Sequence, residues 1–238
     1  MNTARFANPV FVALDTPDLA RALAIAEAVK PFVGGLKVGL EFISALGPEA
    51  VRKIVEVGLP VFADTKFHDI PNTVAGAARA IAMLGVRIFN LHASGGEAMM
   101  RAAAEAIAEV HPRPLLIAVT VLTSLDDASL ASVGQGGSSA AQVERLAALA
   151  KTAGLDGVVC SAHEIASVRK VCGSEFLTIV PGIRPFGCAL GDQRRVMTPA
   201  EALAAGADIL VVGRPITAAP DPAKAAQSIA QELSKTTP

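Results

Sequence analysis

The chain alternates short apolar runs with longer segments in which apolar residues recur at helical spacing. The apolar runs are bounded by Gly, Pro or charged residues, which is typical of strands that are buried on both faces. The longer segments are rich in Ala and carry capping residues at their ends. This alternation predicts repeated strand–helix units and a parallel sheet.

Eight predicted strands can be placed, and a helical segment follows each of them. The strands cover residues 9–15, 35–40, 60–66, 86–92, 114–122, 157–161, 176–182 and 208–214. The first helix is capped by Asp18 or Thr16 and ends at Lys30, and the others cover 48–57, 72–84, 97–110, 140–153, 163–171, 198–206 and 222–234. A polar loop at 183–197 separates the seventh strand from its helix, and long loops of this kind are usually lids or binding loops.

The length fits this count, because 238 residues are close to the roughly 250 of a (β/α)8 barrel. No linker or change in composition divides the chain. We therefore predict a TIM barrel that forms a single domain over residues 1–238. An open, doubly wound sheet is the alternative fold.

Composition excludes several classes of function. The net charge is −1 and the chain has no Trp or Tyr, which argues against a basic or stacking surface for nucleic acid. No apolar run reaches the roughly 18 residues of a membrane helix. The three cysteines, Cys160, Cys172 and Cys188, lack metal-ligand spacing. We expect a cytoplasmic protein that binds neither nucleic acid nor membrane.

Charged residues lie within or at the end of the first three predicted strands. Asp15 ends the first strand, Lys37 lies in the second, and Asp64 and Lys66 end the third, with Asp69 just beyond. Each has a simpler interpretation. Asp15 would lead into a helix, Lys37 would reach outward to solvent, Asp64 and Lys66 would form a structural ion pair, and Asp69 would cap the next helix.

Together these side chains indicate an active site, because the catalytic residues of barrels lie at the carboxyl ends of the strands. Two Lys and two Asp form a nearly neutral set that can be buried. Such a set produces a steep local field, and a Lys held ionised between carboxylates can donate a proton.

The opposite rim has the features of a phosphate site. Arg184 follows the seventh strand, Gly213 and Arg214 end the eighth, and Gln193 lies in the long loop. Barrels frequently bind phosphate at these loops, and Arg offers charge and a planar fork of donors. The alternative for Arg184 and Arg214 is ordinary exposure to solvent.

Other polar residues give weaker signals. Thr120 and Thr123, near the end of the fifth strand, are suited to hydrogen-bond a ligand but also fit a strand and a turn. His68 and His92 suggest a metal, yet no metal-binding spacing accompanies them, so we expect none.

The run D-T-K-F-H-D-I-P-N-T at 64–73 resembles the signature of orotidine 5′-phosphate decarboxylases, specifically the monofunctional bacterial type. The resemblance extends over nearly the whole chain, through motifs at 14–15, 37–39, 119–124, 156–161, 181–185, 191–195 and 212–215. Thr65 departs from the pattern, because bacterial members have an apolar residue there. By strand period it points away from Asp64 and Lys66, so we expect no effect on the chemistry.

The resemblance implies decarboxylation of orotidine 5′-phosphate to UMP and CO2, the last step of de novo UMP synthesis, without metal or organic cofactor. It implies that Lys66 donates the proton to C6 and that Asp64 lies near the substrate carboxylate. Lys37 and Asp64 would orient Lys66 and, with Asp15, contact the ribose.

It further implies that Thr123 contacts the pyrimidine and that four residues hold the phosphate: Arg184, Gln193, Gly213 and Arg214. Asp69 and Thr73 would reach the active site of the neighbouring subunit of a homodimer. Two alternatives stay open from the residues themselves. One is a related sugar-phosphate lyase or aldolase, and the other is a nucleotide-binding dimer without activity.

Overall fold

The computed structural model describes residues 6–185 and 197–234. Eight parallel strands close into a barrel in chain order, and the last strand pairs with the first. They are β1 (Val10–Ala13), β2 (Gly35–Val38), β3 (Val61–Phe67), β4 (Ile88–His92), β5 (Leu115–Val119), β6 (Gly157–Val159), β7 (Leu177–Val180) and β8 (Ile209–Val212). The predicted TIM barrel is confirmed, and the doubly wound alternative is wrong because such a sheet has two open edges.

Helices surround the strands. They are α1 (Leu19–Val29), α2 (Leu40–Val55), α3 (Pro71–Ala82), α4 (Glu97–Ala106), α5 (Asp127–Ser132), α6 (Ser139–Thr152), α7 (Ile165–Cys172), α8 (Pro199–Ala204), α9 (Arg214–Thr217) and α10 (Pro222–Ser234). Asp18 caps α1 by accepting from the Arg21 N–H, so Asp18 rather than Thr16 is the cap. Among the residues the structure describes, none of these helices has the length and apolar character to cross a membrane.

The helices differ from the predicted ones in two respects. Helix α2 begins at Leu40, well before the predicted start at residue 48, and continues past a break at Gly47, whose φ is 72°. The segments on both sides of Gly47 are helical, and only Gly47 itself has a non-helical backbone. The short helices α5 and α9 were not predicted, because one or two turns are too few for a helical period to be visible.

The core has two layers. Side chains that point into the barrel form one cluster: Phe11, Ala13, Phe62, Ile88, Leu115, Ile117, Leu177, Ile179, Ile209 and Val211. The alternating strand residues, such as Val10 and Val12, pack outward against the helices in a second and larger cluster. Because both faces of each strand are covered, the strands are apolar throughout. The filled interior leaves room for a site only at the ends of the barrel.

The amino-terminal end of the barrel is held by two aspartates that precede β6 and β8. Asp156 accepts a hydrogen bond from a backbone N–H of β5 at 2.8 Å and pairs with Arg113 at 3.0 Å. In the same way, Asp208 accepts from the Thr178 N–H of β7 at 2.7 Å and pairs with Arg169 at 2.8 Å. Each carboxylate therefore links two neighbouring strands.

Candidate active site

The carboxyl end of β3 is irregular, and this irregularity places its charged residues. The register against β4 shifts between Ala63 and Phe67, so residues 64–66 lie opposite the single residue Asn90. Lys66 has a φ of 50°, and within the described residues no other non-glycine residue has a positive φ. This conformation costs an L-residue about 1 kcal/mol, and strained backbones of this kind cluster at active sites.

The four predicted charges form a connected array. The Lys37 Nζ lies 2.9 Å from Asp15 Oδ1 and 3.5 Å from Asp64 Oδ2. The Lys66 Nζ lies 2.6 Å from Asp64 Oδ1. Lys37 is buried, with 6% of its surface exposed, so it does not reach outward to solvent. Asp64 stands at the centre of the array, between two ammonium groups.

Asp64 is ionised in this setting. Burial raises the pKa of its carboxyl group, but the ammonium groups of Lys37 and Lys66 and the donors around it outweigh burial and lower the pKa below its ordinary value. The array therefore holds a fixed negative charge with an ammonium group on either side.

Asn90 is a member of this site that the sequence interpretation missed. Its Nδ2 donates to Asp64 Oδ1 at 2.7 Å, and its Oδ1 accepts from the Lys66 backbone N–H at 2.7 Å. The Asn90 side chain is fully buried. The available signal was an amide inside an apolar strand, because a buried polar side chain needs partners.

His68 and His92 stack near this end of the barrel, with their rings 5.6 Å apart. Burial, and then the proximity of His68 and Lys66, lowers the pKa of His92 below its ordinary value of 6.5. No cluster of three or more His, Cys, Asp or Glu suited to a metal occurs within 6–185 and 197–234.

A cavity of about 580 Å³ opens at the carboxyl end of the barrel. Its floor is the top of the apolar interior, including Phe62 and Ile179. Eight of the predicted site residues line it: Asp15, Lys37, Asp64, Lys66, Thr123, Arg184, Gly213 and Arg214. Glu41 and Thr217 also line the cavity and were not predicted. Parallel strands have thus brought together residues that are far apart in the chain.

The side of the cavity beyond β7 and β8 is basic. Arg184 is buried, and its Nη1 donates to the Ile183 carbonyl at 2.9 Å. Beside Arg184, Ile183 pairs with Met197 as an isolated parallel bridge. Arg214 begins α9, a short extra helix of the kind that accompanies phosphate sites in barrels.

Two of the predicted site residues that the structure describes are absent from the cavity lining. Asp69 and Thr73 are exposed in the single chain and lie outside the cavity. The proposed helix cap by Asp69 is wrong, because α3 begins at Pro71 after Ile70, and no side chain caps it. The Asp69 carboxylate instead accepts from the adjacent Ile70 N–H at 2.6 Å. Gln193, like Cys188, lies outside the described residues.

Two threonines have structural roles. The Thr65 hydroxyl donates to the Asn90 carbonyl at 2.6 Å and does not line the cavity, as its strand position predicted. The Thr120 hydroxyl donates to the Val159 carbonyl at 2.9 Å, and Thr120 is also absent from the lining.

The comparisons with known proteins agree with this geometry. Residues 8–229 match the sequence model of a family described as orotidine 5′-phosphate decarboxylase / HUMPS. The chain is 57% identical over 230 residues to the orotidine 5′-phosphate decarboxylase of Moorella thermoacetica, covering 94% of this chain and 91% of that protein. It is 51% identical to the Paramagnetospirillum magneticum protein of the same name, covering 95% and 98%.

Solved structures give the same result. The crystal structure of orotidine 5′-phosphate decarboxylase from Lactobacillus acidophilus superposes with a TM-score of 0.83 at 37% identity, covering 95% of this chain and 99% of that one. An uncharacterised conserved protein from Geobacillus kaustophilus superposes with a TM-score of 0.81 at 38% identity, covering 94% and 100%.

Proposed function

The chain belongs to the orotidine 5′-phosphate decarboxylase / HUMPS family, and from this membership and the array around Asp64 we propose how the site works. The activity is decarboxylation of orotidine 5′-phosphate to UMP and CO2, the step that completes UMP in pyrimidine biosynthesis. Relatives with more than half of their residues identical carry this name, which favours the decarboxylase over a sugar-phosphate lyase or a silent binding protein.

Lys66 is the proposed proton donor. When the bond between C6 and the carboxylate breaks, CO2 leaves and the electron pair stays on C6. The Lys66 ammonium stabilises this developing negative charge and then delivers its proton, so that a C6–H bond forms and a neutral amine remains. The observation that carries this proposal is the Lys66 Nζ held 2.6 Å from Asp64 at the cavity.

Asp64 has two proposed tasks. It orients Lys66 through their ion pair. It also places a fixed anion near the substrate carboxylate, and the loss of CO2 relieves the repulsion between these two negative charges. The Lys37 ammonium holds the second carboxylate oxygen of Asp64, Oδ2. Lys37 also pairs with Asp15 at 2.9 Å, and these two side chains are the proposed contacts to the ribose. The reaction uses no metal and no organic cofactor in this proposal, because the array itself supplies both the positive charge and the proton.

The far end of the cavity is the proposed phosphate site. Arg184 and Arg214 supply charge, and Gly213 allows close approach. The family resemblance is the reason for proposing Gln193 as a further phosphate ligand. Thr123, which also lines the cavity, is the proposed contact to the pyrimidine. Binding energy from a phosphate remote from C6 can be used to orient the base and exclude water.

We also propose that the protein is a homodimer in which Asp69 and Thr73 enter the neighbouring site. Residues 68–73 are all exposed in the single chain, and Ile70 has 67% of its surface exposed. In this proposal the neighbouring subunit covers this exposed run of residues. We place the enzyme in the cytoplasm, where Cys160 and Cys172, both buried thiols, remain reduced.

The direct test is the loss of ultraviolet absorbance when purified protein is mixed with orotidine 5′-phosphate, with and without a metal chelator. We expect the same rate in both. Turnover of pentulose or hexulose phosphates with Mg²⁺, and none of orotidine 5′-phosphate, would instead support the lyase. Binding of UMP by calorimetry without turnover would support the silent protein.

The shared site is tested by mixing Lys66→Ala protein with Asp69→Ala protein. Each heterodimer has one site with both native residues, so random exchange restores about one quarter of the wild-type activity. Mixing Lys66→Ala protein with the double variant Lys66→Ala/Asp69→Ala is the control, because it creates no intact site. Absence of recovery, with subunit exchange shown independently, contradicts the dimer proposal.

A further inference from the structure

We propose that Asn90 is a positioning residue for the reaction, whose buried amide sets the relative orientation of Asp64 and Lys66. The inference rests on the proposed roles of those two residues and extends them to a third. It begins from the β3 irregularity, where residues 64–66 face Asn90 alone.

Asn90 contacts all three residues of this irregular segment. Its side-chain amide donates to Asp64 and accepts from the Lys66 backbone N–H, both at 2.7 Å. Its backbone carbonyl accepts from the Thr65 hydroxyl at 2.6 Å. One buried residue therefore holds the segment at three points, and two of those points are the charged residues of the array.

The orientation of the amide is determined by its partners. The Lys66 backbone N–H can only donate, so the Asn90 oxygen must face it. The Asn90 nitrogen then faces the Asp64 carboxylate, which can only accept. The nitrogen meets Asp64 Oδ1, the same oxygen that the Lys66 ammonium contacts at 2.6 Å. The amide thereby fixes this oxygen in place beside the Lys66 ammonium, and Lys66 also lines the cavity.

The second contact acts on the backbone of Lys66. Lys66 has a φ of 50°, a conformation that an L-residue keeps only when its surroundings hold it. The bond from its N–H to Asn90 supplies such a hold. If the segment relaxed to a regular strand, the Lys66 side chain would leave its present direction. Asn90 thus sets both the carboxylate and the ammonium that the chemistry needs.

The test uses Asn90→Asp, which keeps the shape and the acceptor for the Lys66 N–H. It replaces the donor with an oxygen that faces Asp64. The groups that already face Asp64 are Lys37 from β2, Lys66 from β3 and His92 from β4, and Asp15 reaches it through Lys37. The added carboxyl group lies next to Asp64, and two neighbouring carboxyl groups cannot both ionise easily, so one of the two becomes harder to ionise.

For Asn90→Asp we expect kcat to fall by about 100-fold or more while KM and UMP affinity change by less than about threefold. The acidic limb of the pH–rate profile moves to higher pH, because Asp64 must be ionised for activity. Asn90→Ala removes both side-chain contacts without adding charge, so it also lowers kcat. It moves the acidic limb upward less than Asn90→Asp does, because it removes one donor to Asp64 but adds no second carboxyl group.

Thr65→Val is the matched control. It removes the third contact of the same segment, on the side away from the cavity, and leaves Asp64 and Lys66 untouched. We expect lower thermal stability with kcat within about threefold of wild type and an unchanged pH profile. If Thr65→Val reproduces the changes of Asn90→Asp, Asn90 only maintains the strand irregularity and the proposal is wrong.

A kcat within about threefold of wild type in both folded Asn90 variants overturns the proposal. If Asn90→Asp does not fold, Asn90→Ser replaces it, and failure of both to fold also overturns it, since Asn90 is then needed for the barrel itself. Lys66→Ala in the same assay separates the two claims. Full activity of that variant contradicts the proposed function itself, whereas loss of activity in Lys66→Ala together with wild-type kcat in both Asn90 variants contradicts only the role of Asn90.

Discussion

Carboxylates pair with cations at both ends of the barrel, but the cations are arginines at the amino-terminal end and lysines at the carboxyl end. At the amino-terminal end, Asp208 Oδ2 accepts from a backbone N–H at 2.7 Å, a hydroxyl at 3.1 Å and the Arg169 guanidinium at 2.8 Å. At the carboxyl end, Asp64 meets the ammonium groups of Lys37 and Lys66 beside a cavity of about 580 Å³.

This difference separates stability from chemistry. Arg stays charged and fits a carboxylate with a planar fork, so the pairs with Asp156 and Asp208 lock strands and offer no transferable proton. Lys is a compact acid on a flexible stem, and Lys66 faces space that a substrate can fill. Both ends of the barrel use a carboxylate paired with a cation. Their roles differ because the cation is Arg at one end and Lys at the other, and because the Lys end borders the cavity that the predicted site residues line.

The largest expected effect is at the carboxyl end. Lys66→Ala removes the proposed donor and the stabilising charge together, so kcat falls by about 10,000-fold or more. The free energy of unfolding changes by less than about 1 kcal/mol, because Asp64 keeps Lys37 and Asn90. Steady-state kinetics measure kcat, and thermal unfolding measures the stability. The control is Lys224→Ala, which removes an exposed ion pair with Asp221 and should leave kcat unchanged.

The reverse pattern is expected at the amino-terminal end. Asp208→Ala leaves Arg169 and the Thr178 N–H without their carboxylate partner, which lowers the free energy of unfolding by about 2–4 kcal/mol. We expect kcat to stay within about threefold of wild type at temperatures where the variant is folded. Urea unfolding gives the stability, and a large loss of kcat in folded protein would contradict the separation of the two ends.

Gly39 provides a finer test of the array. A Cβ at this position lies 2.8 Å from both Asp15 Oδ1 and Lys37 Nζ, so Gly39→Ala separates that ion pair. The backbone there is extended, with φ −101° and ψ −171°, and accepts Ala without strain. We expect kcat/KM to fall by about 10- to 100-fold with little loss of stability.

The matched control for Gly39→Ala is Gly136→Ala, whose added Cβ meets nothing within 4 Å. It should leave both kcat/KM and the unfolding temperature near wild type. Equal activity of Gly39→Ala and Gly136→Ala would mean that the Asp15–Lys37 pair is not needed for substrate binding or turnover.

The smallest expected effect is in the acid response of stability. Because the pKa of His92 in the folded protein is below its ordinary value of 6.5, the unfolded chain takes up a proton first as pH falls. His92 therefore lowers stability as pH drops from about 6.5 toward its folded pKa. With His92→Gln, we expect the decrease in unfolding temperature between pH 7 and 5.5 to shrink by about 1–3 °C. An unchanged decrease would show that other groups produce this acid response.

Much of the site was predictable because parallel strands place their carboxyl ends at one edge. That rule was enough to bring Asp15, Lys37 and Asp64 together and to set them opposite Arg214. The interpretation of Asp69 as a cap was wrong because a cap depends on where α3 begins, and the Pro71 start places Ile70 at the cap position.

The sequence by itself determined the barrel and the identity of its charged residues, because hydrophobic period and strand order are properties of the chain alone. It did not determine the β3 irregularity, the left-handed Lys66 or the role of Asn90. Those depend on pairing between β3 and β4, where Asn90 is 26 residues from Asp64 in sequence and 2.7 Å away in space. Only tertiary structure decides such contacts, since they form when two separate strands align in one register.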